Sequence, residues 1–188
     1  WNLSRFAECL IPLIDEDEDK AVKSATELID TFGKKYEEKW LNMMRNKLGL
    51  LDEDNKDKFL IVDLLTWMHQ KKKDYTNTFC HLMNIKIDKN ENFEDSDFQN
   101  WKKRWQLRLK INKNAPEKNI KLMKSVNPQI IPRNQKVEEA LETGKKGDLR
   151  SVNQLIDVLK EPYSHKKNIF EYQIPSNFNE YYRTFCGT

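Results

Sequence analysis

Ala21, Ala25, Leu28, Phe32, Tyr36, Trp40, Met44 and Leu48 follow one another at steps of three or four residues. That period puts all of them on one side of an α-helix, so the pattern predicts a long helix with a buried stripe from Ala21 to Leu48. Gly49 is placed to end it. Phe59 to Met68 is more evenly apolar and follows the polar Asp52-Glu53-Asp54-Asn55, which predicts a shorter, more deeply buried helix. Phe98, Trp101, Trp105 and Leu109 form another stripe, with Ser96 as N-cap and Gln99 three residues on. Further along, Val137, Ala140 and Leu141 precede Gly144 to Gly147, after which Asp148 is placed to cap a helix carrying Leu149, Val152, Leu155, Ile156 and Leu159. This is the pattern of a helical hairpin.

Between these elements, Asp88 to Ser96 is polar, acidic and without period, as in a surface loop. Periodicity also ends after Glu161-Pro162, where Pro175 and several Asn and Tyr residues predict an extended tail. No segment alternates with period two for long enough to be a strand. The expectation is therefore an all-α fold, with a helical segment over residues 1–160 and an extended tail over 161–188.

Composition agrees with helix: only five glycines and six prolines occur in 188 residues. That length suits one domain with appendages. A first residue of Trp1 instead of Met suggests a chain processed or cut from something longer. Lys and Arg total 33 against 30 Asp and Glu, and a net +3 spread over both signs makes no concentrated basic face, so nucleic acid is not an expected partner. A membrane is not expected either, because no apolar run is long enough to span one. The partly apolar Trp1 to Ile14 runs into Asp15-Glu16-Asp17-Glu18-Asp19, the wrong flank for a secretory signal. The three cysteines, Cys9, Cys80 and Cys186, are widely spaced and odd in number, which fits an intracellular protein better than a disulfide scaffold. Without secretion the sequon Asn2-Leu3-Ser4 carries no meaning.

Several small groups invite a chemical reading. His69, Cys80 and His81 are soft metal ligands, but they lack the paired spacing of a zinc site, and packing or surface roles are the expectation. Asp88, Asn90 and Asn92 imitate the start of a calcium loop, yet Phe93 stands where Gly is needed and Gln99 where the closing Glu belongs. The run Asp15 to Asp19 reads as a solvated helix start. Lys71-Lys72-Lys73 and Lys145-Lys146 fall at helix ends, where cations complement the dipole; a phosphate contact is the competing reading. Trp40, Trp67, Trp101 and Trp105 have the spacing of core residues more than of base-stacking platforms. A Gly-rich phosphate loop, a nucleophile elbow and a paired-His helix are all missing, so no catalytic, cofactor-binding or metal residue is assigned. Cys9 lies among Leu3, Phe6 and Leu10 on a helix expected to bury it, and Cys80 on another core helix, whereas Cys186 falls in the final residues with no core to fill.

Some short segments then recur in a fixed order. Trp1-Asn2-Leu3 with Ala7, Arg45 with Lys47-Leu48-Gly49, and Asp74-Tyr75-Thr76-Asn77-Thr78-Phe79 come first. Val126-Asn127-Pro128 with Arg133-Asn134, Gly147-Asp148, Pro162-Tyr163 and finally Cys186 follow. Together they resemble the landmarks of the selenoprotein O family over the whole chain. Ile174-Pro175 departs from the family's common double proline, and Cys186 stands where some members carry selenocysteine. The resemblance implies a kinase-like fold that transfers AMP from ATP to hydroxyl side chains of protein substrates, using Mg or Mn. It places the catalytic lysine, metal ligands and base upstream of Trp1, so no cofactor is assigned to this chain. The upstream kinase-like core is then the partner that this segment braces. The same resemblance implies that Cys186 is a redox cysteine bonding to one in the activation-loop region, with residence in the mitochondrion for a eukaryotic protein and the cytoplasm otherwise. A competing reading comes from Ala140-Leu141, Gly147-Asp148-Leu149 and Leu155-Ile156, which resemble part of an ankyrin hairpin and would make a non-enzymatic interaction module. No copy repeats at a fixed period, however, and the Thr-Pro-Leu-His signature is absent.

Overall fold

A computed structural model describes residues 1–85, 93–111, 116–164 and 169–175. The calcium-loop positions Asp88, Asn90 and Asn92, the end of the tail and Cys186 lie outside the described residues. Ten α-helices and no strand occur among those described, so the fold is all-α. The chain divides into two compact units, Trp1–Met44 and Arg45–Thr188.

In the first unit, α1 (Asn2–Ile14) and α2 (Glu18–Asp30) pack together as a hairpin. The acidic run between them builds the turn: Asp15 Oδ1 accepts the Asp17 N–H at 2.9 Å, and Asp17 Oδ1 accepts the Lys20 N–H at 3.3 Å. Glu18 and Asp19 then occupy the first turn of α2, where the helix dipole favours negative charge. The long helix expected over the stripe is broken. α2 ends at Asp30 and α3 (Phe32–Lys47) begins two residues later. Thr31 makes the break, its hydroxyl donating to the Leu28 carbonyl at 2.7 Å and its N–H to the same oxygen, and Gly33 just beyond weakens continuation.

The burial expected for that stripe is also corrected. Ala21, Met44 and Leu48 are buried and Trp40 is half-buried, but Leu28 is 64 % exposed, Phe32 50 % and Tyr36 61 %. α1 buries no residue fully, and Cys9, expected in a core, is exposed. Trp1, Leu3, Phe6 and Leu13 are exposed with it. Two amphipathic helices packed on each other leave part of each apolar face exposed.

The second unit holds the core. At the end of α3, Gly49 has φ +71, and the Leu50 N–H bonds back to the Arg45 carbonyl at 2.9 Å. A side chain there would meet the Asn119 carbonyl at 2.9 Å, so glycine is required both for the left-handed turn and for the close approach. α4 (Asp57–Gln70) packs against α6 (Ser96–Ile111), with α5 (Tyr75–Leu82) between them in the chain. Leu60, Ile61, Leu64, Trp67 and Met68 of α4 meet a run of rings along α6. Trp67 and Phe98 have centroids 4.5 Å apart, Phe98 and Trp101 5.7 Å, and Trp101 and Trp105 6.0 Å. The buried indoles satisfy their N–H groups, Trp101 donating to the Leu60 carbonyl at 2.8 Å and Trp105 to the Leu48 carbonyl at 2.9 Å. These tryptophans are core residues.

α6 is capped by Asp95, one residue before the expected Ser96; its Oδ1 accepts the N–H groups of Asp97 and Phe98, while Gln99 reaches back to the Phe93 carbonyl. α7 (Pro116–Val126) opens on a proline, which is suited to a first helical position. α8 (Asn134–Lys145) and α9 (Arg150–Leu159) form the expected hairpin around Gly147, φ +85, with Asp148 Oδ1 accepting the Arg150 N–H. A short helix, α10 (Phe170–Gln173), lies in the stretch expected to be extended.

Candidate functional site

Charged side chains are buried in the second unit at two places, and each has a partner. Asp57, at the start of α4, has no exposed side-chain surface. Its carboxylate accepts from Arg45 Nε at 2.9 Å and from Arg108 Nε at 2.7 Å, with Arg108 Nη2 at 3.2 Å. Arg108 also donates to the Asp52 carbonyl at 2.6 Å, and the Asp54 N–H donates to Asp57 at 2.9 Å. A carboxylate held by two guanidiniums and a main-chain N–H has most of its lone pairs used, the condition under which a buried ion is tolerated. This clasp ties α3, α4 and α6 together.

The second cluster gathers residues that are far apart in the chain. Asp74 caps α5 by accepting the Asn77 N–H at 2.8 Å and takes both Arg133 Nη atoms, at 2.6 and 2.9 Å. Arg133 Nη2 and Asn77 Nδ2 both donate to the Gln173 carbonyl, at 3.2 and 3.1 Å. Lys47 Nζ donates to Asn127 Oδ1 at 3.1 Å and sits 5.4 and 5.1 Å from the ring centroids of Tyr75 and Phe79. Asn127 Nδ2 returns to the Lys47 carbonyl at 2.9 Å, and the Gln129 N–H donates to the Pro162 carbonyl at 2.7 Å. Burial lowers the Lys47 amine below its ordinary value. It also pushes the Cys80 thiol up to about 12, with the Asp74 carboxylate adding to the effect. While it is buried, this thiol is held in its protonated form.

The structure therefore joins most of the landmark segments. Arg45 belongs to the Asp57 clasp; Lys47, Asp74, Asn77, Asn127, Arg133 and Pro162 belong to the second cluster. Asp57, Arg108, Gln129 and Gln173 were not singled out by the sequence. Arg108 did carry a signal, since Phe98, Trp101, Trp105 and Arg108 step by three, four and three, and the stripe runs on to Arg108 where Leu109 was expected. A charged residue in phase with a buried stripe calls for a buried partner.

Other sequence candidates resolve locally. His69 is exposed, Cys80 is buried, and His81 stacks on Phe93 with centroids 3.9 Å apart, so the three do not form a ligand set. Among the described residues no group of three His, Cys, Asp or Glu side chains is placed to hold a metal. Lys71 pairs with Asp95 at 2.9 Å and Lys145 with Glu142 at 2.6 Å, so one lysine of each basic run is engaged by a neighbouring carboxylate. No helix among the described residues is long and apolar enough to cross a membrane.

Among the described residues the fold is all-α, and the buried charges join helices to one another. Residues 1–160 match the family described as protein adenylyltransferase SelO, and the chain belongs to that family. The match includes the α8–α9 hairpin, whose ankyrin-like appearance is therefore local. Over its whole length the chain is 53 % identical to the protein nucleotidyltransferase YdiU of Pelagibacter ubique, 42 % to that of Clostridium perfringens and 41 % to that of Nitrosococcus oceani. It spans only 39, 39 and 38 % of those proteins.

Proposed function

We propose that this chain is the helical C-terminal part of a protein adenylyltransferase that transfers AMP from ATP to hydroxyl side chains of proteins, and that its work is to brace the kinase-like core. Family membership supports the activity. ATP and Mg or Mn are held by residues of that core, as the resemblance to the family implies. Cys186 serves as the redox cysteine of the whole enzyme, which works in the cytoplasm, or in the mitochondrion of a eukaryote.

The observation that carries the bracing role is the uncovered apolar flank of the first unit, where Leu28, Phe32 and Tyr36 keep helical spacing yet stay exposed. Such a flank on a chain spanning about two fifths of its relatives fits a surface completed by the rest of the polypeptide. Phe32→Asp and Tyr36→Asp test this by comparison. In residues 1–188 alone each should change stability by less than about 0.5 kcal/mol, because both sites are open to solvent. In the full-length protein each should cost about 2–4 kcal/mol, as a charge replaces a buried ring. Equally small effects in the two contexts would refute the bracing role.

A further inference from the structure

The segment that contains α10 buries Gln173 fully, with Ile169, Tyr172 and Pro175 half-buried. Gln173 is 2 % exposed, whereas Phe170 and Ile174 on either side are 42 % and 43 % exposed. The Gln173 carbonyl accepts from Asn77 Nδ2 and Arg133 Nη2, and its side-chain amide donates to the Gln129 carbonyl at 3.3 Å. That same Gln129 carbonyl lies 4.0 Å from Cys80 Sγ, which is fully buried. The seat under Gln173 is also incompletely bonded. Asn77 Oδ1, Gln129 Oε1 and Arg133 Nε are buried and make no hydrogen bond among the described residues. Solvent reaching them on opening would supply those bonds and lower the cost of detachment. A short segment with one fully buried residue, held there by polar bonds, belongs among the less stable parts of a fold.

We propose that residues 169–175 are a detachable strap, locked through the Gln173 carbonyl by Asn77 and Arg133, whose release uncovers the Cys80 thiol. The lock is polar and local, so it opens without unfolding α4 and α6. Asp74 sets its strength, because it holds Arg133 in the orientation that reaches Gln173 and holds the N-terminus of α5 from which Asn77 projects. The strap thus makes access to a buried cysteine conditional on where the last part of the chain is held. This goes beyond the bracing role and does not depend on it.

Iodoacetamide labelling of the full-length protein, read at the Cys80 peptide by mass spectrometry beside hydrogen exchange of α4 and α6, tests the proposal. Arg133→Ala should speed Cys80 labelling roughly tenfold or more, the effect of losing a charged hydrogen bond, while α4 and α6 stay protected. Asn77→Ala, which removes the other donor to the Gln173 carbonyl and leaves the Asp74–Arg133 pair intact, should act in the same direction if Arg133→Ala does not fold. A chain ended after residue 168 should label fastest. Labelling unchanged in the truncated chain, or accelerated only in step with exchange throughout α4 and α6, would overturn the strap.

Discussion

Gly49 shows how much one residue can fix. It ends α3 in the left-handed conformation, and its missing side chain lets the Asn119 carbonyl and Met123 approach. Ala at this position has to adopt φ +71 and clear a main-chain oxygen 2.9 Å away, which α7 cannot yield without moving as a body. We expect Gly49→Ala to cost about 2–4 kcal/mol, combining left-handed strain with overpacking. Denaturant titration measures it, and a loss below about 0.5 kcal/mol would mean that α7 gives way freely. Arg108 carries a related lesson. Taken alone it looks like one more charge on a charged helix, but its position in phase with Trp101 and Trp105 puts it against Asp57.

At the scale of elements, α4, α6 and the α8–α9 hairpin were legible because each carries a run of apolar residues at helical spacing, although the hairpin fully buries Ala140 alone. The stripe from Ala21 to Leu48 was legible as helix and misread as core. Period reports which side of a helix is apolar, not whether this chain supplies the surface to cover it, and Thr31 breaks the run through a hydroxyl bond that period does not register. Of the second polar cluster, Lys47, Asp74, Asn77, Asn127 and Arg133 were reached only through family landmarks and Gln129 and Gln173 not at all, since no spacing rule brings Asp74, Arg133 and Gln173 together. The start of α6 offers a test of its cap. The Lys71 ammonium and the Trp67 indole N–H bonded to Asp95 hold its carboxyl down at about 2. A carboxyl lowered on folding stabilises the folded state above its unfolded value near 4. That contribution is lost as pH falls from about 4 through about 2. Carbon-detected NMR should place the Asp95 midpoint near 2 in the parent protein. Lys71→Ala should raise it, and a midpoint near 4 in the parent would dissolve the cap arrangement.

For the whole molecule, the first unit has exposed apolar flanks and the second is clamped by buried ions. Under the proposed function, nucleotide and metal chemistry belongs to the rest of the enzyme and bracing to this segment. That division is tested most directly by assaying AMP transfer from ATP to a protein acceptor, with Mg or Mn, for the full-length protein and for residues 1–188 side by side, with calorimetric titration of ATP into each. Transfer and metal-dependent ATP binding by the full-length protein, with neither in residues 1–188, is the result predicted. Saturable, metal-dependent ATP binding by residues 1–188 alone, or a full-length protein that transfers no AMP, would contradict it.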